Sequence, residues 1–243
     1  MEILAIGNSF SRDATRYLHG IAKADGEKIN VVGLAIGGCS LPLHYKHHMV
    51  DDPLYELWIN GEYTEFFVTI REALINREWD IITIQQNTLS AARYDTYQPF
   101  LNELFAEFRR YCPKAKLALH ETWMSETGSA KLIKMGYEKS SDLYVDIHAA
   151  YAQAMEETKA DILIPSATVV NRLLNEGMEG FYEDQHHASL GKGRYALALT
   201  WYRTLFGKPV TGNSFRDFDV EVSEEDIAFI QRIVDDVIDL SKN

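Results

Sequence analysis

The sequence predicts an α/β protein in which a parallel sheet lies between layers of helices. Three features carry that prediction: five short apolar runs recur along the 243 residues, none of them alternates polar with apolar, and helical periodicity separates them. Continuous hydrophobicity marks strands buried on both faces, and strand-helix alternation builds a parallel sheet with helices above and below. The first run, ILAI at 3–6, leads to a helix at 12–26, and the second is NVVGLAI at 30–36. A segment at 39–65 then departs from the pattern: Asn60-Gly61 sits between two strand-like runs, a strong hairpin signal. A helix at 66–78 precedes the third run, DIITI at 80–84, and a helix at 97–111 precedes the fourth, KLAL at 116–119. After a second insertion at 120–141 come a helix at 142–159, the fifth run DILIP at 161–165, and helices at 167–176, 189–206 and 223–239. In the last of these Ser223 is the expected N-cap, and Ile227, Ile230, Val234 and Val237 recur at helical spacing.

A chain of 27.7 kDa buries roughly 70% of its unfolded surface in one core, so one domain over 1–243 with the two insertions is expected. The formal net charge of −12 repels phosphate backbones and anionic lipid. Nucleic acid and membrane are therefore excluded as expected partners, and a neutral substrate is favoured over an anionic one. Cys39 and Cys112 lack CxxC spacing, which points to free thiols. With a strand beginning at once after Met1 and no apolar run near about 20 residues, a cytoplasmic location is expected. Neither phosphate-binding glycine motif is present, and no cofactor is expected.

Ser9 and both insertions lie just past the carboxyl ends of the apolar runs, where open α/β sheets place their sites. Ser9, in the segment GNSFS at 7–11, falls between the first strand and its helix, where a serine either caps the helix or presents its hydroxyl at the sheet edge. Far along the chain Asp184 and His187 stand three apart in a turn-like stretch. That spacing lets the carboxylate hold one ring nitrogen while the other faces a nucleophile.

Read together, GNSFS at 7–11, IGGCSL at 36–41, IQQNT at 84–88 and Asp184-x-x-His187 resemble the four blocks of the SGNH (GDSL-like) hydrolase superfamily, and more narrowly a bacterial branch of it. The resemblance spans residues 3–195 in order. It implies a flavodoxin-like, three-layer α/β/α sandwich and hydrolysis of esters, often acyl groups on carbohydrate; with the five apolar runs, a five-stranded parallel sheet and a serine esterase of small acyl groups, acetyl on a sugar foremost, are expected. Carried over to this chain it makes Ser9 the nucleophile, His187 the base and Asp184 the group orienting it. Gly38, with Gly37 as its neighbour, would supply an oxyanion N–H. The third block lacks its usual glycine, and either Gln86 or Asn87 supplies the side-chain donor, with preference for Gln86.

Two other readings compete. The histidines at 44, 47 and 48, and Asp184, His186 and His187, contain proper zinc ligand types and suggest a metal-dependent hydrolase, although no zinc-binding spacing is present and no metal is expected. An SGNH-like module that binds glycans without turnover is the other. Cys39 reads as a small buried hydrophobe rather than a nucleophile. His44 and His120 are expected to line a polar substrate pocket, and Trp123, with Trp58, Tyr63, Phe66 and Phe67, to form a sugar-stacking rim or to pack into the core.

Overall fold

The computed structural model describes residues 1–240. Strands β1 (Glu2–Gly7), β2 (Asn30–Ala35), β3 (Tyr55–Ile59), β4 (Glu62–Val68), β5 (Ile81–Ile84), β6 (Lys116–His120) and β7 (Ile162–Ile164) form one sheet in the order β4-β3-β2-β1-β5-β6-β7. The five strands anticipated from apolar runs are all present and mutually parallel. The sheet nevertheless has seven strands rather than five, because the hairpin around Asn60-Gly61 extends it antiparallel to β2. In β1, Ile3, Leu4, Ala5 and Ile6 are all fully buried, which is why that run shows no alternation.

The helices are α1 (Ser9–Thr15), α2 (Leu18–Ala24), α3 (Leu41–Val50), α4 (Ile70–Asn76), α5 (Phe100–Tyr111), α6 (Ala130–Lys134), α7 (Ser140–Thr158), α8 (Ser166–Asn175), α9 (Lys192–Phe206) and α10 (Glu224–Leu240). Helix α9 packs against α1, α2, α8 and α10, while α5 packs against α3, α4 and α7, and the two groups enclose the sheet. Local chemistry sets several boundaries. Thr69 and Glu72 form a reciprocal capping box at α4, and Ser223 Oγ accepts from the Asp226 N–H at 3.1 Å. In α5, Leu101, Leu104, Phe105 and Phe108 share the buried face.

The first helix begins at Ser9 rather than residue 12 and breaks near Arg16. Segment 39–65 contains α3 as well as the hairpin, and segment 120–141 contains α6. Helix α3 escapes hydropathy because its buried stripe is Leu41, His44 and His48, two histidines among three residues.

The order of strands fixes the site. The chain leaves β1 for β2 on one side and later crosses to β5 on the other, so the loops after β1, β2 and β5 surround one crevice at the carboxyl edge. None of the described helices is long and apolar enough to cross a membrane.

Candidate active site

Asn8 builds the turn that carries Ser9. Its backbone is extended, and its Oδ1 accepts from the Phe10 N–H at 3.0 Å, capping α1. Gly7 is required beside it: a Cβ there would lie 2.7 Å from Ser11 Cβ. Ser9 is consequently the first residue of α1, half-buried, and not its cap. Its backbone N–H belongs to the first turn, where no intrahelical acceptor exists.

Ser9 Oγ lies 2.9 Å from His187 Nε2, and His187 Nδ1 lies 2.7 Å from Asp184 Oδ2. A carboxylate accepts only, so Nδ1 carries the proton and Nε2 is left to accept from the serine hydroxyl. The loop holding these residues is tightly folded: Asp184 Oδ1 accepts the N–H groups of His186 (3.0 Å) and His187 (2.7 Å), and Tyr182 bridges to Ala188. Burial alone would raise the Asp184 pKa, yet the His187 ring and those two amides hold it down to about 2.

Two buried supports fix the loop against α1. Asp13, without exposed surface, accepts the Ala188 N–H at 3.1 Å and pairs with Arg194 at 3.0 Å. Burial raises the Asp13 carboxyl to about 6, against the opposing pull of Arg194. Trp123 stacks on Phe10 with ring centroids 3.7 Å apart and donates its Nε1–H to the His186 carbonyl at 3.1 Å. Trp123 is fully buried, so the expected sugar-stacking role gives way to bracing.

Across the crevice Gly38 is exposed with φ +65°, and a Cβ there would meet nothing within 4 Å. Asn87 Nδ2 donates one hydrogen to the Gly38 carbonyl at 3.0 Å and retains a second. Gln86 is different: its Oε1 accepts from the Leu41 and Asn87 amides, and its Nε2 donates to Thr96 Oγ1 at 3.1 Å. Fully buried and turned toward Thr96, Gln86 holds the loops together, which removes it from the donor role preferred on sequence. Asn8, Ser9, Phe10, Gly38, Asn87, Thr88, Leu89, Lys131 and His186 line a narrow cleft of about 80 Å³.

Beneath the cleft runs a buried polar chain that sequence reasoning missed. Asn8 Nδ2 donates to the Cys39 carbonyl at 3.1 Å, and Gln85 Nε2 donates to Asn8 Oδ1 at 2.8 Å. Gln85 Oε1 accepts from His120 Nδ1 at 2.7 Å, and His120 Nε2 meets Ser166 Oγ at 2.9 Å. The carboxyl ends of β1, β2, β5, β6 and β7 are thereby joined. His120 is buried, its pKa depressed by burial to about 3, and it does not line the cleft. His44 likewise lies in the interior, with Nδ1 2.8 Å from the Tyr55 hydroxyl. Both expected pocket histidines are thus structural, because the polar groups they meet belong to the core.

The other histidines of α3 diverge, His47 toward Asp52 and His48 toward Glu107. Among the described residues no three His, Cys, Asp or Glu side chains converge as a metal site. Cys39 is buried, and burial pushes its thiol up to about 12.

This arrangement of strands is shared with known structures. A DUF4886 family protein from Bacteroides uniformis superposes with a TM-score of 0.92 at 28% identity, covering 100% of this chain and 96% of its own. A Slackia heliotrinireducens protein classed by inference as an SGNH hydrolase gives 0.61 at 23% identity, covering 84% and 98%. A variant of a Geobacillus acetyl-xylooligosaccharide esterase gives 0.54 at 17%, covering 84% and 93%. The fold is that of the SGNH/GDSL-like hydrolases. No curated protein matches the sequence. The family model for the domain of unknown function DUF4886 matches residues 2–232, and with nearly the whole chain inside it, the protein belongs to the DUF4886 family.

Proposed function

We propose that the protein is a serine hydrolase of carboxylic esters. The carrying observation is the continuous hydrogen-bond line from Ser9 Oγ through His187 to Asp184, at 2.9 and 2.7 Å. In the first step Ser9 Oγ attacks the ester carbonyl carbon while His187 Nε2 takes its proton. The imidazolium so formed is stabilised by Asp184, whose carboxylate stays ionised down to about pH 2. The carbonyl oxygen becomes an oxyanion, met by the N–H groups of Ser9 and Gly38 and the second Nδ2 hydrogen of Asn87. Removing one such donor typically costs about 3–4 kcal/mol of transition-state stabilisation. His187 then returns the proton to the departing alcohol oxygen, and water, activated by the same ring, releases the acid from Ser9.

The acyl group is read as acetyl and the alcohol as a carbohydrate. The narrow cleft of about 80 Å³ supports a small acyl group, and the acetyl-xylooligosaccharide esterase with the same fold supports the sugar ester. The test is hydrolysis of p-nitrophenyl acetate: turnover by the wild type and none by a folded Ser9→Ala variant is expected. Equal rates for the two would overturn the reading.

A further inference from the structure

Among the described residues Lys131 is the one lysine or arginine lining the cleft beside Ser9. It sits half-buried on α6, and its Nζ has no ion-pair or hydrogen-bond partner among the described residues. The other basic side chains around the site are engaged: Arg194 pairs with Asp13 and Glu183, and Arg12 with Glu56. The carboxylate that acts electrostatically on Lys131 is Asp184. Asp184 is already committed, one oxygen to the His187 ring and the other to two backbone N–H groups. Removing an ammonium from part of its hydration without a counter-ion is unfavourable, and burial accordingly pushes the Lys131 pKa down.

We infer that Lys131 is a specificity-determining residue, and that the substrate of the Ser9 site carries a carboxylate close to its scissile ester. The inference rests on the hydrolase reading and narrows it, from acyl esters in general to esters of an acidic molecule such as an acetylated sugar acid. It also reverses the expectation that a net charge of −12 favours neutral esters. That field is screened beyond about 8 Å at physiological salt, whereas a cation in the cleft acts at contact distance. Association with an anion is slowed by the overall charge; retention at the cleft is decided by Lys131. A substrate carboxylate against Nζ would also place the ester beside Ser9, so the pairing orients as well as binds.

The test compares matched esters. On the alcohol side, 3-acetoxybenzoate is paired with 3-acetoxybenzamide; on the acyl side, p-nitrophenyl hemisuccinate is paired with p-nitrophenyl butyrate. The ratio of kcat/KM for the charged over the neutral member is measured in the wild type and in Lys131→Arg, Lys131→Met and Lys131→Glu. For at least one pair, that ratio is expected to fall about tenfold in Lys131→Met, to survive in Lys131→Arg, and to fall further in Lys131→Glu. Raising the salt concentration lowers it in the wild type alone of the wild type and Lys131→Met. The pair that responds tells which side of the ester bears the charge. Ratios unchanged by Lys131→Met in both pairs, with the neutral esters still turned over in a Ser9-dependent way, overturn the Lys131 inference alone. Absence of Ser9-dependent turnover of every ester overturns the hydrolase reading and this inference with it.

Discussion

The molecule holds two serine-histidine constellations of similar geometry: Ser9, His187 and Asp184 at the cleft, and Ser166, His120 and Gln85 beneath it. In each, the histidine Nε2 lies 2.9 Å from a serine oxygen and its Nδ1 lies 2.7 Å from an oxygen acceptor. The first faces solvent, with the His187 side chain 32% exposed, and ends on a carboxylate. The second is buried, His120 at 1% and Ser166 at 0%, and ends on a neutral amide. Burial depresses the His120 pKa to about 3, and Gln85 offers no charge to stabilise a cation there. Under the hydrolase reading the same three-part geometry would serve proton transfer at the cleft, whereas its buried counterpart clamps the loops; access and the charge of the third member separate them.

Substitutions that treat the two serines alike should separate them most widely. Ser9→Ala is expected to reduce ester turnover by roughly 10⁶-fold with little change in thermal midpoint. Ser166→Ala should do the reverse, leaving His120 Nε2 unpaired at a cost of about 1–3 kcal/mol while turnover falls less than about tenfold. Kinetics and thermal melts of the two variants check this, and equal losses of turnover would erase the distinction.

The third members give the next largest contrast. Asp184→Asn should lower kcat by about 10⁴-fold, because the amide neither stabilises the imidazolium nor enforces its tautomer. Gln85→Leu orphans the His120 and Asn8 groups it joins, and a stability loss of about 1–3 kcal/mol is expected with a kcat reduction of about tenfold as the Ser9 turn loosens. Circular-dichroism melts with steady-state assays read both. Between these effects lies Trp123→Ala, expected to cost about 3–5 kcal/mol by emptying the site against Phe10. Its loss of kcat, rather than a change in KM alone, would show that the stack aligns the His187 loop.

How much of this is legible from residues alone depends on what each residue's surroundings reveal locally. The five parallel strands are legible because burial on both faces leaves uninterrupted apolar runs, as in ILAI at 3–6. The pairing of Ser9 with Asp184 and His187 is legible through the resemblance of GNSFS at 7–11 and Asp184-x-x-His187 to the SGNH blocks, taken in chain order. Polar residues in the core are harder. Asn8, Gln85 and His120 resemble surface residues in composition, and their burial rests on partners that are distant in sequence. Gln86 and Asn87 show the same limit over a single step, because these adjacent side chains just past β5 turn opposite ways. Gln86 turns inward to Thr96 and Asn87 toward Gly38, so the assignment depends on register that IQQNT does not contain. Helix α3 fails for a related reason: two of its three inward positions are histidines.

The smallest expected effect is on acid stability. The folded-state pKa of Asp184, about 2, lies below the ordinary carboxylate value of 3.8, so the stability it contributes is present above pH 3.8 and is lost as pH falls toward 2. In thermal melts between pH 2 and 5, the wild type should therefore lose stability with acid more steeply than Asp184→Asn. Gln85, uncharged at every pH, contributes no such slope.

The central claim, that chemistry resides at the exposed constellation and not the buried one, is tested most directly by identifying where a fluorophosphonate probe attaches. Intact-protein and peptide mass spectrometry should find a single adduct on Ser9, absent after Ser9→Ala substitution and never on Ser166. A wild-type protein that remains unlabelled at Ser9, or that carries the adduct elsewhere, would contradict the account.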